Sequence, residues 1–298
     1  MAEAGDSGRL RSSDIPADAV RTDTHVVDQL IAERGQKIVE SWAWPLLRPL
    51  LYRVLHYDDA VRMADALAPL GSAAAMDFIS GLLALDLDVV GLEHVPRQGA
   101  FVVAANHPTG IADGVAVFDA LKAVRRDIAI FTNRDAVRVN PRLADVLIPV
   151  EWREEHRNHT KTKETLRLSS RAFREERAVV LFPSGRIAYW KDGRLNERPW
   201  QISAVTLARK HAVPIVPMHV ESRNSGLFYW FAQWNTELRD MTVFHELLNK
   251  RGKTFRIRIG RPIPTGWIAE GDALEVTQRL QAHTVEALAR DPGAAFAP

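Results

Sequence analysis

The sequence predicts an α/β protein with a mixed, largely parallel central sheet flanked by helices and preceded by an N-terminal helical segment. Two patterns carry this prediction. Almost wholly apolar runs at 99–106, 178–183 and 214–221 are typical of strands buried on both faces. Helical patterns alternate with these runs, as they do where helices connect the strands of a sheet. The chain has 298 residues, 46% of them hydrophobic, so it is long enough to bury such a sheet.

The N-terminal region is predicted to be a tail followed by helices. Residues 1–25 contain acidic residues and no apolar core, which predicts a flexible tail and no signal peptide. Residues 26–85 are predicted to be helical, with Gly71 and Gly81 as weak points. Within them, "SWAWPLLRPLLYRVL" at 41–55 combines tryptophans, leucines and two arginines. That composition fits a helix lying in a membrane surface and equally an amphipathic helix packed on the domain.

The remaining residues, 86–298, are expected to form the main domain. Predicted strands lie at 85–95, 99–106, 127–132, 178–183, 214–221 and 254–263, and predicted helices at 113–124, 159–176, 201–212 and 273–290. The aromatic run "GLFYWFAQW" at 226–234 fits core packing, with an acyl-chain lining or a membrane contact as the alternatives. No apolar stretch approaches the ~20 residues of a spanning helix, so we expect no spanning segment.

Composition narrows the chemistry. The chain has no cysteine, which excludes disulfides, thiolate metal sites and a cysteine nucleophile. Residues 122–175 contain 13 Lys and Arg against 8 Asp and Glu, an excess of basic residues that favours phosphate-bearing partners such as anionic lipid. No nucleic-acid-binding module accompanies the basic residues, so no nucleic-acid partner is expected.

The stretch "VVAANHPTGIADG" at 102–114 carries the first candidate for chemistry. His107 follows a buried strand, and Asp113 comes six residues later, at the start of a predicted helix. A histidine that accepts a proton from a hydroxyl works best beside a carboxylate, which orients the ring and stabilises the imidazolium. Taken alone, the same spacing also fits a loop histidine and an aspartate that caps a helix.

Three further blocks change this balance. "FTNRD" at 131–135, "LFPSGR" at 181–186 and "VPIVPMH" at 213–219 follow in order, each at the end of a predicted strand. Together the four blocks resemble the glycerolipid acyltransferase family (PlsC-like, 1-acylglycerol-3-phosphate acyltransferase), over roughly residues 86–222. The resemblance implies an O-acyltransferase that moves a fatty acyl group from acyl-CoA or acyl carrier protein to a lysophospholipid-like hydroxyl. It implies no cofactor, no metal and no covalent enzyme intermediate, and it places the enzyme in glycerolipid and phospholipid biosynthesis, peripheral to the cytoplasmic side of a membrane.

The resemblance also implies roles for individual residues. His107 would be the general base, Asp113 would orient it, and Arg134 would bind a phosphate group. The residues expected to contact substrate are Asn106, Thr109, Gly110, Arg134, Pro183, Ser184, Gly185 and Arg186.

Two departures from the family pattern stand out. The family spacing is His-x4-Asp, whereas this chain has His-x5-Asp; one extra helical residue would rotate Asp113 by ~100° from His107. We expect the connection at Gly110 to absorb that residue. Ser184 stands where the family has the glutamate of Phe-Pro-Glu-Gly, which leaves the acceptor open. It also keeps two alternatives: a serine-dependent lipid esterase that uses Ser184, and a non-catalytic membrane-binding relative.

Overall fold

The computed structural model describes residues 24–151 and 158–297. The flexible tail predicted for residues 1–25 therefore lies, up to residue 23, outside the described residues. His25 is part of the fold, because its ring accepts a hydrogen bond from the Val27 N–H and caps the first helix. The ring also lies 3.1 Å from Asp65.

The segment before the sheet is helical, as predicted. Its helices are α1 Val26–Arg34, α2 Gln36–Val39, α3 Trp44–Val54, α4 Tyr57–Leu67 and α5 Ser72–Leu83. Gly71 lies at the N-cap of α5, whereas Gly81 lies inside that helix without breaking it. Buried residues of α1, including Leu30, belong to the same apolar core as Phe101 of the sheet. The N-terminal helices thus complete the core of the main domain.

The strands form one large sheet and one hairpin. They are β1 Asp86–Val90, β2 Phe101–Ala105, β3 Ile128–Asn133, β4 Leu147–Val150, β5 Ala178–Leu181, β6 Tyr189–Lys191, β7 Arg194–Asn196, β8 Ile215–Glu221 and β9 Thr254–Ile259. The sheet has the order β1-β9-β8-β2-β5-β3-β4, and β6 pairs with β7. Neighbouring strands of the sheet are parallel except β8 and β9. The prediction of a mixed, largely parallel sheet is confirmed.

Helices cover both faces of this sheet. They are α6 Ile111–Leu121, α7 Asp135–Val139, α8 His159–Arg174, α9 Ser203–His211, α10 Gly226–Trp234, α11 Thr236–Met241, α12 Val243–Leu248, α13 Thr265–Ala269, α14 Ala273–Ala282 and α15 Leu288–Arg290. Along β2, Val103 joins the core that α6 and the N-terminal helices cover, whereas Val102 joins the core under α9 and α14. This alternation is the period-two pattern of a strand buried on both faces.

Two strand features lay outside the sequence prediction. Strand β4 is short and contains Pro149, which is tolerated because β4 is an edge strand. The β6–β7 hairpin turns at Asp192 and Gly193, whose φ angles are +53° and +71°. Positive φ at both positions is the requirement of a type I′ hairpin turn, for which Asp-Gly is a favoured pair.

Candidate active site

The predicted site residues follow three neighbouring parallel strands. His107 comes after β2, Ser184 after β5 and Arg134 after β3, and these strands are adjacent in the sheet. Because parallel strands end at a common edge, the loops that follow them share that edge. The chain therefore collects three of the four blocks at one edge of the sheet, although they are far apart in sequence, whereas the fourth block, 213–219, lies mainly within β8.

The turn between His107 and α6 absorbs the extra residue of the His-x5-Asp spacing. Gly110 is the N-cap of α6 with φ +97°, and Asp113 is the third residue of that helix. The Asp113 carboxylate is fully buried. It accepts hydrogen bonds from the Thr109 N–H (2.8 Å), the Thr109 hydroxyl (2.5 Å) and the Gly110 N–H (2.9 Å). The expectation that the connection at Gly110 absorbs the added residue is confirmed.

The same carboxylate contacts the imidazole of His107. The Nδ1 atom of His107 lies 2.9 Å from Oδ2 of Asp113. The N–H direction is not aligned with that oxygen as a full hydrogen bond requires, so the contact is a close polar approach with bent geometry. Such contacts often tighten only when substrate binds. The ring stacks on Phe182 with centroids 4.4 Å apart, and the side chain keeps 18% of its exposure.

A second carboxylate, Glu197, contacts the main chain of His107. The His107 N–H lies 3.2 and 3.3 Å from its two carboxylate oxygens, and the Trp200 indole N–H donates to Oε1 at 3.2 Å. Burial raises the pKa of Glu197 despite these donors. The sequence offered no signal for this residue, because it lies outside the four blocks and reaches His107 only through the hairpin.

The loop after β5 holds Ser184 in a fixed position. Pro183 and Ser184 are buried, whereas Gly185, with φ +61°, and Arg186 are exposed. The Ser184 hydroxyl donates to the Arg186 carbonyl at 2.9 Å. Its proton is therefore directed at a backbone oxygen, an arrangement that does not favour a nucleophile paired with His107.

Asn106 and Arg134, also predicted to bind substrate, differ in the number of hydrogen-bond donors that have no partner. The amide of Asn106 exchanges two hydrogen bonds with the backbone of Val220, at 2.9 and 2.7 Å, which ties the β2 end to β8. Arg134 forms an ion pair with Glu164 at 2.7 Å. Its Nε and Nη2 atoms are buried without a hydrogen-bond partner in the described residues. Arg134 can thus still donate to an anion, whereas Asn106 holds the loop.

No metal centre is visible in the part of the chain that the structure describes. Residues 24–151 and 158–297 contain no cluster of three or more His, Asp or Glu side chains close enough to hold a metal ion.

The model of the acyltransferase family matches residues 86–221. A lyso-glycine lipid O-acyltransferase of Phocaeicola vulgatus is 26% identical over 227 residues, which cover 72% of this chain and 77% of that protein. A protein of the same name from Bacteroides thetaiotaomicron is 24% identical over 226 residues, which cover 72% and 79%. The family match and the names of both relatives support an O-acyltransferase enzyme.

A solved structure is also similar to the acyltransferase. It is the crystal structure of PlsC, the 1-acyl-sn-glycerophosphate acyltransferase of Thermotoga maritima. The two chains are 13% identical, with a TM-score of 0.46, over 91% of this chain and 98% of that one.

Proposed function

We propose that this acyltransferase moves a fatty acyl group from a thioester, either acyl-CoA or acyl carrier protein, to a lysolipid hydroxyl, with His107 as general base. The observation that supports the proposal most strongly is the 2.9 Å approach of His107 to a fully buried Asp113 at the loop edge of the sheet. Both curated relatives carry names that specify a lyso-glycine lipid, so we include that lipid class among the candidate acceptors.

The proposed chemistry needs no covalent enzyme intermediate. His107 accepts the hydroxyl proton while the oxygen attacks the thioester carbonyl, and the C–S bond then breaks as the imidazolium protonates the leaving thiolate. General base catalysis of this kind contributes ~10²–10⁴-fold. Asp113 stabilises the imidazolium that forms, and its burial keeps water from screening this attraction.

We further propose that Arg134 and the loop 183–186 bind the head group of the acceptor. The unpartnered Nε and Nη2 atoms of Arg134 form one edge of the guanidinium, which matches two oxygens of a phosphate or carboxylate. Both head-group types therefore fit this residue. The exposed Arg186 adds positive charge at the same sheet edge.

We also propose that the protein lies peripherally on the cytoplasmic side of a membrane through α3. None of the helices in residues 24–151 and 158–297 has the length and apolar character needed to cross a bilayer. The outer face of this region nevertheless exposes 88% of Trp42, 75% of Leu46 and 63% of Leu50. Arg48 and Arg53 are suited to anionic head groups. Trp234 of α10 is also 75% exposed, and the next helix, α11, packs on α1 and α2.

An activity assay tests the chemistry. Purified protein is incubated with labelled acyl-CoA or acyl carrier protein and a panel of lysolipids that includes lysophosphatidate and lyso-glycine lipid, and products are read by mass spectrometry. His107→Ala should abolish transfer without unfolding the protein, and full activity in that variant would refute the mechanism.

Ser184→Ala should reduce the rate of acyl transfer by less than about 100-fold, mainly through a lower affinity for the acceptor, because the substitution removes one hydrogen bond. An acyl-Ser184 adduct would contradict direct transfer.

Sedimentation with anionic liposomes tests the membrane surface. Trp44 and Leu51 pack against the core, so the informative changes are at the exposed positions. The triple variant Trp42→Gln, Leu46→Gln, Leu50→Gln should release the protein from vesicles. The matched control is Leu166→Gln with Leu274→Gln, which changes leucines that are each 51% exposed elsewhere on the surface. Equal binding by the triple variant and the wild type would exclude α3 as the contact.

A further inference from the structure

We propose that Glu197 is a positioning residue for the reaction: its carboxylate holds the main chain of His107 and so makes the β6–β7 hairpin a structural part of the catalytic centre. This inference rests on the proposed function, because it assigns Glu197 a role that is exerted through the general base. Glu197 does not contact the imidazole or any reacting atom in this assignment.

The residues at the two ends of the hairpin form hydrogen bonds with the backbone carbonyl and N–H of His107. At one end, the Ala188 N–H donates to the His107 carbonyl at 2.9 Å. At the other end, the Glu197 carboxylate accepts from the His107 N–H at 3.2 and 3.3 Å. His107 lies two residues beyond the end of β2, where strand pairing no longer fixes the backbone. Its φ and ψ angles, and hence the direction of its side chain, therefore depend on these contacts.

Glu197 itself is held from the opposite side. The buried Trp200 donates its indole N–H to Oε1 at 3.2 Å. Gln281 of α14 donates to the Arg198 carbonyl at 3.0 Å and accepts from the Trp200 N–H at 3.0 Å. Strand β7 fixes the backbone before Glu197, and Gln281 fixes the backbone after it. The carboxylate of Glu197 is therefore a rigid support, whereas a surface glutamate would be free to change rotamer.

The same carboxylate lies beside Ser184. The Ser184 hydroxyl donates to the Arg186 carbonyl at 2.9 Å, and as an alternative donor to Glu197 it lowers the pKa of that carboxyl, against the larger rise caused by burial. The Gln201 N–H donates to the Pro183 carbonyl at 2.9 Å and joins this segment to the loop after β5. The centre therefore has a carboxylate next to the loop in which Ser184 replaces the glutamate of the family pattern. Here the acid comes from residue 197, beyond the hairpin.

The test compares two substitutions at this position in the full-length protein. Glu197→Ala removes both acceptor oxygens and should lower kcat by about 10- to 100-fold with little change in the acceptor KM. Glu197→Gln keeps an acceptor oxygen for the His107 N–H and should recover at least half of that loss on a logarithmic scale. Glu221→Gln is the matched control, since it neutralises an exposed carboxylate at the end of β8, where Arg256 pairs with it.

Three results would overturn the inference. They are a wild-type kcat in Glu197→Ala, a loss that falls on KM alone, and a Glu197→Gln variant as slow as Glu197→Ala. Circular dichroism measures the amount of folded protein, and kcat is calculated per folded molecule. A loss of folded protein alone therefore does not produce a lower kcat at an unchanged acceptor KM. His107→Ala in the same assay separates the two proposals. If that variant is inactive while Glu197→Ala is normal, only the role of Glu197 fails; if it is active, the proposed mechanism fails first.

Discussion

Replacing Asp113 by asparagine separates its support of His107 from its place at the start of α6. The carboxylate accepts three hydrogen bonds from the turn and approaches Nδ1 of His107 to 2.9 Å. An asparagine oxygen in the place of Oδ2 can still accept from the N–H groups of Thr109 and Gly110. Its NH₂ group can donate to the Thr109 hydroxyl oxygen. The substitution therefore preserves most of the turn and removes the negative charge.

The expected loss of stability in Asp113→Asn is much smaller than the expected loss of catalytic rate. Loss of charge in hydrogen bonds that remain formed should cost about 1 kcal/mol of unfolding free energy, which lowers Tm by roughly 2–4 °C in a protein of this size. Loss of the anion beside the imidazolium should lower kcat by about 10²–10⁴-fold. At ~1.36 kcal/mol for each factor of ten, that is ~3–5 kcal/mol in the activation barrier.

Acyl transfer and a thermal melt, measured on the same preparations, check this prediction. Asp119→Asn is the matched control, because Asp119 lies on the same helix and pairs with Lys122 at 2.6 Å. It should keep full activity. An Asp113→Asn enzyme with more than about a tenth of wild-type kcat would refute the role of Asp113 as the partner of the base.

Three further predictions use other parts of the site. Gly110→Ala places a Cβ 2.8 Å from Ile187 at φ +97° and should cost about 1–3 kcal/mol in a denaturant melt. Gly114→Ala meets no atom within 4 Å and should be neutral or stabilising, so equal melts would contradict the strain argument. Because burial raises the pKa of Glu197, the folded state loses stability as pH rises through that pKa. The Tm of Glu197→Gln relative to wild type should therefore increase as pH rises from about 4, near the ordinary pKa of a glutamate, and a constant difference would contradict this. Arg134→Gln should raise the KM for an anionic acceptor by about 10- to 100-fold at similar kcat, and an unchanged KM would exclude Arg134 from the head-group site.

Local sequence patterns predicted the parts of the fold and site that depend on neighbouring residues. The apolar run of β2 predicted a central strand, and the glycine at 110 predicted that the turn would absorb the added residue. In both cases the deciding physics acts within a few residues of the chain. The edge strand β4, with a proline in a run of only four residues, lacked enough alternation to be distinguished from a loop.

The parts that the sequence did not predict depend on contacts between distant segments. Glu197 reaches His107 across a sequence separation of 90 residues, and no local pattern marks it. Within 41–55, the helix Trp44–Val54 packs Trp44 and Leu51 on the core, as the amphipathic alternative expected, and leaves Leu46 and Leu50 exposed, so the membrane alternative stays a prediction. Only tertiary packing divides such a helix into an inner and an outer face.

The packing of the N-terminal helices has a consequence for which lipid hydroxyls can reach His107. Arg34 of α1 pairs with the buried Asp135 at 2.6 Å, next to Arg134, and Tyr52 of α3 bonds to Asp28 of α1 at 2.7 Å. If α3 rests on the bilayer as proposed, these contacts hold His107 at a constant height above the acyl chains, with no flexible linker between. The enzyme would then select lipids by the height of their hydroxyl above the membrane surface. A lipid would react according to how far its hydroxyl stands out of the membrane, before any head-group contact is made.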